Sequence, residues 1–350
     1  MITTSFQLPT TSVAEPTVKP RELLTRLPQP GHWLLSMDNS AIEHVVRCPT
    51  SAMYHLVYGR QAYAKNAALT FGGALHEGFK GYFLGEPSEQ QEQRVLQYFI
   101  DSPPPPDEYR TPQLALQVLK HYRIRSEFPD YELNILDDTA PIIERPFEIP
   151  LGVLDVNTRI QLPHWPEPQQ VDVIHVAWAG RIDLAATINK RNRVMDHKTT
   201  SVAGEQFVPS FQLARQTIGY TWAAQQLWPE LDISSFCLDA IHLKRPGTNG
   251  YGTNLTAKGV RGGPPALDFF RAYFDYTQDR LDEWEENTKT IIGDFVHCLV
   301  RNKFPMFTDN CFNKYGRCQY FDVCNFSDRA VRLRFLQSES FRNVTWSPIL

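Results

Sequence analysis

One segment of this chain constrains its local structure more firmly than any other. Residues 180–199 form two apolar arms around a polar turn centred on Lys190-Arg191, and this pattern predicts a β-hairpin. With that turn, Asp183 lies opposite Lys198 on the partner strand. Because side chains alternate between the two faces of a strand, Asp196 lies on the same face as Lys198. The hairpin is therefore expected to bring two carboxylates and one ammonium group together.

Two interpretations explain these three charged residues. Charge on a largely apolar sheet is costly, and a divalent cation between Asp183 and Asp196 would offset that cost. Metal-assisted hydrolysis requires the same grouping. The alternative is an ordinary cross-strand salt bridge on a solvated face, and a bare D-x-K sequence does not distinguish the two.

The composition narrows the class of protein. With 35 Lys and Arg against 39 Asp and Glu the net charge is −4, which does not suit a histone-like polyanion binder. The Thr- and Pro-rich residues 1–30 contain no apolar stretch typical of a signal peptide, so none is expected there, and no apolar run approaches the ~18 residues that span a bilayer. We therefore expect a cytoplasmic protein with no membrane partner. Disulfides are rare in that compartment, so the six cysteines need another explanation.

The order of predicted elements indicates an α/β fold with a mixed central sheet flanked by helices. Helices are predicted at 40–63, 68–83, 207–228 and 268–301. Strands are predicted at 142–149, 171–178, 181–188, 193–199 and 233–243. A helical insertion covers 86–130 and is interrupted by the prolines at 103–106. The chain has no Walker phosphate loop and no G-x-G-x-x-G sequence, so a built-in nucleotide-driven motor is not expected.

These elements divide the chain into four predicted segments. Residues 1–30 are expected to be a flexible tail, and 31–135 a helical N-terminal region that carries Cys48 and the helical insertion. Residues 136–300 are expected to form the core, together with the helix at 68–83. Residues 301–350 form a cysteine-rich segment with a basic tail.

Four further residues fall in a suggestive order around the hairpin. Glu144 lies on the first predicted strand, where the alternative is an exposed charge paired with its neighbour. His76 lies in a glycine-rich helix that is expected to approach a sheet closely, and imidazole is a ligand that suits Mn²⁺. A satisfied core or surface histidine is the alternative. Gln216 and Tyr220 stand four residues apart on one helix face, which routine amphipathic patterning also produces.

Taken together, the motifs His76, Glu144, GRID (180–183), DHKT (196–199) and Gln216-x-x-x-Tyr220 resemble, in this order, the PD-(D/E)xK nuclease superfamily. The resemblance is to its RecB/AddB/Cas4-like branch and covers roughly residues 70–225. It implies a restriction-endonuclease-like core and a Mg²⁺- or Mn²⁺-dependent deoxyribonuclease. The implied activity is that of an exonuclease on single-stranded DNA ends, in recombination, repair, or phage or CRISPR DNA processing.

The resemblance also implies a role for each residue. The metal ligands would be His76, Asp183, Asp196 and the main-chain carbonyl of His197. The catalytic residues would be Glu144, Asp183, Asp196 and Lys198. Lys198 would orient or help deprotonate the attacking water and stabilise charge on the phosphate. Gln216 and Tyr220 would position the DNA backbone.

The cysteines fit the same branch. Cys311, Cys318 and Cys324 cluster near the C-terminus and Cys48 lies far upstream, which resembles the four-cysteine plan of its iron–sulfur members. The resemblance implies a [4Fe–4S] cluster held by these four thiolates, and a structural Cys₄ zinc site is the alternative. The remaining two, Cys237 and Cys298, are expected to be free thiols in a strand and a helix.

Two other functions remain compatible with these residues. One is a catalytically inactive DNA-binding scaffold on a nuclease fold, and the other is a zinc-stabilised structural protein whose acidic residues form salt bridges. Single-stranded DNA is the expected partner, and a homo-oligomer is compatible with the sequence.

Overall fold

A computed structural model describes residues 23–62, 67–105, 109–126, 133–137, 140–202, 207–243, 267–313 and 316–344. Most of the predicted flexible tail lies outside these residues. The strands are β1 Thr25–Arg26, β2 His32–Met37, β3 Arg60–Ala62, β4 Asn134–Ile135, β5 Ile143–Ile160, β6 Gln169–Ile188, β7 Arg191–Thr200, β8 Ser235–Leu243, β9 Leu267–Asp275, β10 Phe312–Asn313, β11 Gly316–Arg317 and β12 Phe341–Asn343. The α-helices are α1 Asn39–Arg47, α2 Pro49–Ala52, α3 Ala67–Phe83, α4 Ser88–Asp101, α5 Pro112–Ser126, α6 Pro209–Gln212, α7 Arg215–Leu227, α8 Gln278–Arg301, α9 Phe321–Cys324 and α10 Arg329–Leu336.

The predicted fold class is confirmed, since parallel and antiparallel strand pairs share a sheet that helices flank. The chain forms two compact units, each assembled from separate segments. The first unit comprises Met1–Tyr63, Pro146–Arg181 and Asp282–Leu350, and the second comprises Ala64–Arg145 and Ile182–Leu281. The long strand β6 contributes residues to both.

The second unit is built on strands β7, β8 and β9 and on the end of β6. Strand β7 is antiparallel to β6 and parallel to β8, and β9 is antiparallel to β8. Helices α3, α4 and α5 bury one apolar core with Ile241 and Leu243 of β8. Helix α7 packs against β7 and β8.

The glycines of α3 were expected to bring this helix close to a sheet, but they bring it close to α4 instead. A Cβ atom on Gly78 would lie 2.7 Å from Val95 Cγ2, and one on Gly73 would overlap the hydroxyl of Tyr98. At such distances a larger side chain fits only if the side chains of Val95 and Tyr98 on α4 move. Small residues at these two positions therefore let the helices pack closely.

In the first unit, β2 runs parallel to β6 and antiparallel to β1, and β12 pairs with β3. A π-helix at Met53–Val57 follows α2, and all five of its residues are buried. Most of α8 belongs to this unit, where Trp284 packs edge-on against Trp178 with ring centroids 5.1 Å apart.

Several predicted elements differ from the structure. The predicted helix at 268–301 is wrong in its first part, because Leu267–Asp275 is strand β9, paired with β8 along its whole length. The region expected to be helical also contains strand β2. The strands predicted at 171–178 and 181–188 are one continuous strand, β6.

Two predicted helices are interrupted in the structure. The helix at 40–63 is interrupted at Cys48, which is extended and is followed by Pro49 in the first position of α2. The predicted helix at 207–228 is likewise divided into α6 and α7. Within the described ranges, no helix is both long enough and apolar enough to cross a membrane.

Candidate active site and four-cysteine site

The hairpin forms, but its register differs from the prediction by two residues. The turn residues are Asn189 and Lys190, whose φ angles of 52° and 61° are those that a type I′ turn requires. Leu184 pairs with Met195, so the next pair along this register is Asp183 with Asp196 rather than Asp183 with Lys198. A shift of two residues keeps every side chain on its predicted face, whereas a shift of one would reverse it. The predicted grouping of charges therefore survives the wrong register.

Asp196 and Lys198 form a close pair. Lys198 Nζ donates to Asp196 Oδ1 at 2.9 Å and lies 2.8 Å from Oδ2. Burial and the neighbouring Asp183 raise the pKa of Asp196 to about 6, against the lowering effect of Lys198. Burial acts to lower the pKa of Lys198, but Asp196 and Asp183 together raise it above its ordinary value. The ammonium group therefore stays charged beside a carboxylate.

His76 joins two carboxylates from different elements. Its Nδ1 lies 3.2 Å from Asp183 Oδ2 and 3.6 Å from Glu144 Oε1. One ligand atom from each of the three residues lies within 4.8 Å of the others, close enough to share one metal ion. Burial acts to lower the pKa of His76, but Asp183 and Glu144 raise it to about 9. A cation is thus favoured at this position, and a metal ion would replace the proton.

The main-chain carbonyl of His197 faces the same group. His76 Nε2 donates to this oxygen at 3.0 Å, and the amide of His197 donates to Asp183 Oδ2 at 3.4 Å. The carbonyl oxygen of His197 therefore contacts Nε2 of His76, whereas the carboxylates lie at Nδ1 on the other side of the ring. Its role as a metal ligand stays a prediction. Oxygen donors with one imidazole suit a divalent cation such as Mn²⁺ or Mg²⁺.

Glu144 reaches the site through an unusual backbone conformation. Its φ is 48° at the start of β5, a left-handed value that non-glycine residues adopt at a cost. Its side chain is only 7% exposed. Strained residues of this kind cluster at functional sites. The structure therefore brings Glu144 to Asp183 despite the long Pro-rich segment that separates them in sequence.

Gln216 and Tyr220 both lie on α7, as expected, and both are half-buried. Their role in binding DNA stays a prediction.

The sequence analysis missed a set of buried polar residues behind His197. They come from α5, β8 and β9, and they are Tyr122, Arg125, Asp239 and Arg271. One signal could have found them, because Asp239 is a lone carboxylate within the otherwise apolar strand SFCLDAIHL.

Cys48, Cys311, Cys318 and Cys324 line a single pocket in the first unit. The amide of Cys318 donates to the carbonyl of Cys311 at 2.8 Å, and the amide of Phe307 donates to Cys48 Sγ at 3.4 Å. Burial raises the pKa of Cys324 to about 11, and the other three sulfurs raise it too. Burial and the neighbouring sulfurs therefore favour the neutral thiol of Cys324 over its thiolate when no cation is bound.

All six cysteines are free thiols, and Cys237 and Cys298 do not line this pocket. Cys237 is buried in β8 and Cys298 is half-buried in α8.

Comparison with known protein families identifies the family of this chain. The model of the PD-(D/E)XK nuclease superfamily matches residues 37–325. The chain therefore belongs to the PD-(D/E)XK nuclease superfamily, whose members generally use divalent metal ions.

Two solved structures show distant similarity. One is a candidate exonuclease from Eubacterium rectale, with 13% identity over 84% of this chain and 88% of that chain and a TM-score of 0.42. The other is SSO0001, with 10% identity over 76% of this chain and 79% of that chain and a TM-score of 0.25. No curated protein matches the chain.

Proposed function

We propose that this protein is a Mg²⁺- or Mn²⁺-dependent exonuclease that hydrolyses phosphodiester bonds at single-stranded DNA ends. The observation that carries the proposal is the convergence of His76, Glu144 and Asp183 beside the Asp196–Lys198 pair. All five residues lie within the segment that matches the nuclease superfamily. An ordinary salt bridge between Asp196 and Lys198 does not account for two further carboxylates around one imidazole.

The chain's own groups have distinct tasks in this mechanism. Asp183, Asp196 and His76 would hold the ion, with Glu144 as a further ligand or as the residue that orients a water. The carbonyl of His197 would join them if it released its hydrogen bond from His76 Nε2. The bound ion would supply a water of lowered pKa and stabilise the phosphate that accepts it. Lys198 Nζ, held by Asp196, would orient that water and stabilise the negative charge that develops on the phosphate.

The proposed substrate and pathway rest on the resemblance to one branch of the superfamily. The RecB/AddB/Cas4-like branch, which the order of motifs resembles, favours an exonuclease on single-stranded ends. On that basis Gln216 and Tyr220 on α7 would contact the DNA backbone. Recombination, repair, and phage or CRISPR DNA processing are the pathways that this activity would serve.

We also propose that the four-cysteine pocket holds a [4Fe–4S] cluster. A single zinc ion would draw four sulfurs to about 3.8 Å from one another, given Zn–S bonds of about 2.3 Å. Among the described residues, the only three-ligand group within 4.8 Å is the carboxylate and histidine group, so the sulfurs are more widely spaced. A cubane cluster spaces its four thiolates more widely than one ion does, which favours the cluster over zinc. Unpaired cysteines also suit the cytoplasm.

The nuclease proposal is tested with single-stranded DNA labelled at its 5′ or its 3′ end, in Mn²⁺ or Mg²⁺. We expect the wild type to shorten the DNA from an end, and Lys198→Ala and Asp183→Ala to lose this activity while remaining folded. Lys190→Ala is the matched control, because Lys190 is an exposed residue of the same hairpin, remote from the carboxylates. Wild-type turnover by either active-site variant contradicts the assignment.

The same assay separates the alternatives. DNA binding without cleavage in any metal would instead support a scaffold, and digestion from internal positions would make the protein an endonuclease. The cluster is tested separately, by iron, sulfide and zinc analysis of protein purified without oxygen. We expect iron and acid-labile sulfide in equal amounts, and stoichiometric zinc alone would contradict the cluster.

A further inference from the structure

A row of polar residues crosses the interior of the second unit directly behind the active-site strand. His197 of β7 pairs with Asp239 of β8, and Asp239 pairs with Arg271 of β9. All three side chains are almost fully buried, with 3%, 0% and 5% exposed. Arg271 Nε lies 3.4 Å from Asp239 Oδ2. The row therefore joins three neighbouring strands below the surface.

Two residues of helix α5 form hydrogen bonds with this row. The hydroxyl of Tyr122 donates to Asp239 Oδ2 at 2.9 Å and lies 3.0 Å from His197 Nε2. Because that hydroxyl gives its proton to the carboxylate, the imidazole N–H of His197 donates to the hydroxyl oxygen. Arg125 Nη1 donates to Asp239 Oδ1 at 2.9 Å. The imidazole of His197 is thus held at the end of a directed chain of hydrogen bonds.

Stability alone does not account for this row. Buried ion pairs lose hydration, and apolar residues of similar volume often stabilise a core equally well. The same helix already buries Leu114, Val118 and Leu119 in the apolar core that it shares with α3 and α4. A polar row at this place therefore requires a geometric explanation.

The place of His197 in the active site suggests that explanation. Its neighbours in sequence are Asp196 and Lys198, and its own carbonyl accepts the hydrogen bond from His76. The ring of His197 also packs on Phe79 of α3, with ring centroids 4.7 Å apart. Holding the ring on both sides restricts rotation of the peptide group that carries the carbonyl.

We propose that Tyr122 is a positioning residue of the active site, which acts through the imidazole of His197. Its hydroxyl, anchored on Asp239, keeps the carbonyl of His197 in place as the acceptor for His76 Nε2, and this hydrogen bond turns Nδ1 of His76 toward Asp183 and Glu144. The inference rests on the proposed function, since it assigns a task only if a metal ion binds there. Residues that orient metal ligands in this way typically contribute 10–100-fold to metal affinity, so removal of this hydroxyl should weaken binding by about that factor.

The test compares Tyr122→Phe with Tyr82→Phe by calorimetric titration with Mn²⁺. Tyr82 is the matched control, because its hydroxyl donates to Ser126 of α5 and not to the Asp239 and His197 groups that Tyr122 contacts. We expect the dissociation constant for Mn²⁺ to rise about 10–100-fold in Tyr122→Phe and to stay unchanged in Tyr82→Phe. Cleavage by Tyr122→Phe at saturating Mn²⁺ should approach that of the wild type, because the ligands themselves remain.

A double-variant cycle tests whether the hydroxyl acts through His197. If it does, adding Tyr122→Phe to His197→Phe weakens Mn²⁺ binding no further, because the link is already lost. Additive effects contradict the inference, and so does equal Mn²⁺ affinity in the two tyrosine variants. Failure of the proposed function gives a different result, in which the wild type binds Mn²⁺ but leaves DNA intact. A wild type that binds no Mn²⁺ overturns both.

Discussion

Glu144 combines a strained backbone with a side chain in the candidate metal site, so two substitutions at this residue separate stability from metal binding. Both Glu144→Gly and Glu144→Ala remove the carboxylate beside His76. They differ in the backbone, because alanine keeps the left-handed strain at φ 48° and glycine does not. Relief of that strain is worth about 1–2 kcal/mol. The greater entropy of glycine in the unfolded chain costs about 0.5–1 kcal/mol.

The difference between the midpoints of these two ranges favours glycine by about 0.75 kcal/mol. We therefore expect Glu144→Gly to unfold at a temperature about 1–4 °C above that of Glu144→Ala, which reverses the usual order of these residues in a strand. Calorimetric unfolding in metal-free buffer measures the difference. Titration with Mn²⁺ should show the same loss of affinity in both variants, at least about 10-fold, because both lack the same ligand.

Lys190 supplies the matched control for this prediction. It has a φ of 61° in the exposed turn of the hairpin, so Lys190→Gly should likewise exceed Lys190→Ala in stability. Neither Lys190 variant should change the affinity for Mn²⁺. The reasoning is refuted if Glu144→Gly is no more stable than Glu144→Ala, or if either Glu144 variant binds Mn²⁺ like the wild type.

Three further predictions concern other parts of the molecule. Cys318→Ser should lose bound metal and unfold at a lower temperature. Cys298→Ser should keep the metal, because Cys298 does not line the pocket. Metal analysis and thermal unfolding of both variants check this prediction. Burial lowers the pKa of His44 from 6.5 to about 3, so on acidification the unfolded chain binds a proton at this histidine before the folded protein does. The contribution of neutral His44 to the free energy of unfolding is therefore complete above pH 6.5 and should be lost as the pH falls towards 3. Thermal unfolding across this pH range should show the loss, and His44→Gln should reduce it. Gly73→Ala should destabilise the protein by its overlap with α4, whereas Gly72→Ala, with no atom within 4 Å, should stabilise it by up to about 1 kcal/mol in denaturant titrations.

The register of the hairpin was predicted wrongly, but the faces of its strands were predicted correctly. Its turn was placed one residue late, yet Asp183, Asp196 and Lys198 were assigned to one face correctly. The reason is that moving the turn by one residue moves the register by two, and side chains repeat with a period of two. The faces of a strand follow from local alternation, whereas the register depends on the turn conformation, which the φ angles of Asn189 and Lys190 set here.

Strand β9 shows an error of a different kind. Residues 267–275 were assigned to the helix that follows them, although they pair with β8 over nine residues. Aromatic residues in this segment fit the apolar face of a helix as well as a strand. Only the partner strand decides between the two, because backbone hydrogen bonds in a sheet are made to a distant segment.

The residue types, their order and the strand face on which each side chain lies can all be read from the amino-acid sequence. The order of His76, Glu144, Asp183, Asp196 and Lys198 pointed to the nuclease superfamily, and the superfamily match over 37–325 confirms it. How these segments come together is visible only in the folded protein. The tertiary structure set the left-handed backbone of Glu144, placed Cys48 in one pocket with three cysteines more than 250 residues away, and put Asp239 behind His197. These features depend on packing between distant segments, and local periodicity contains no information about such contacts.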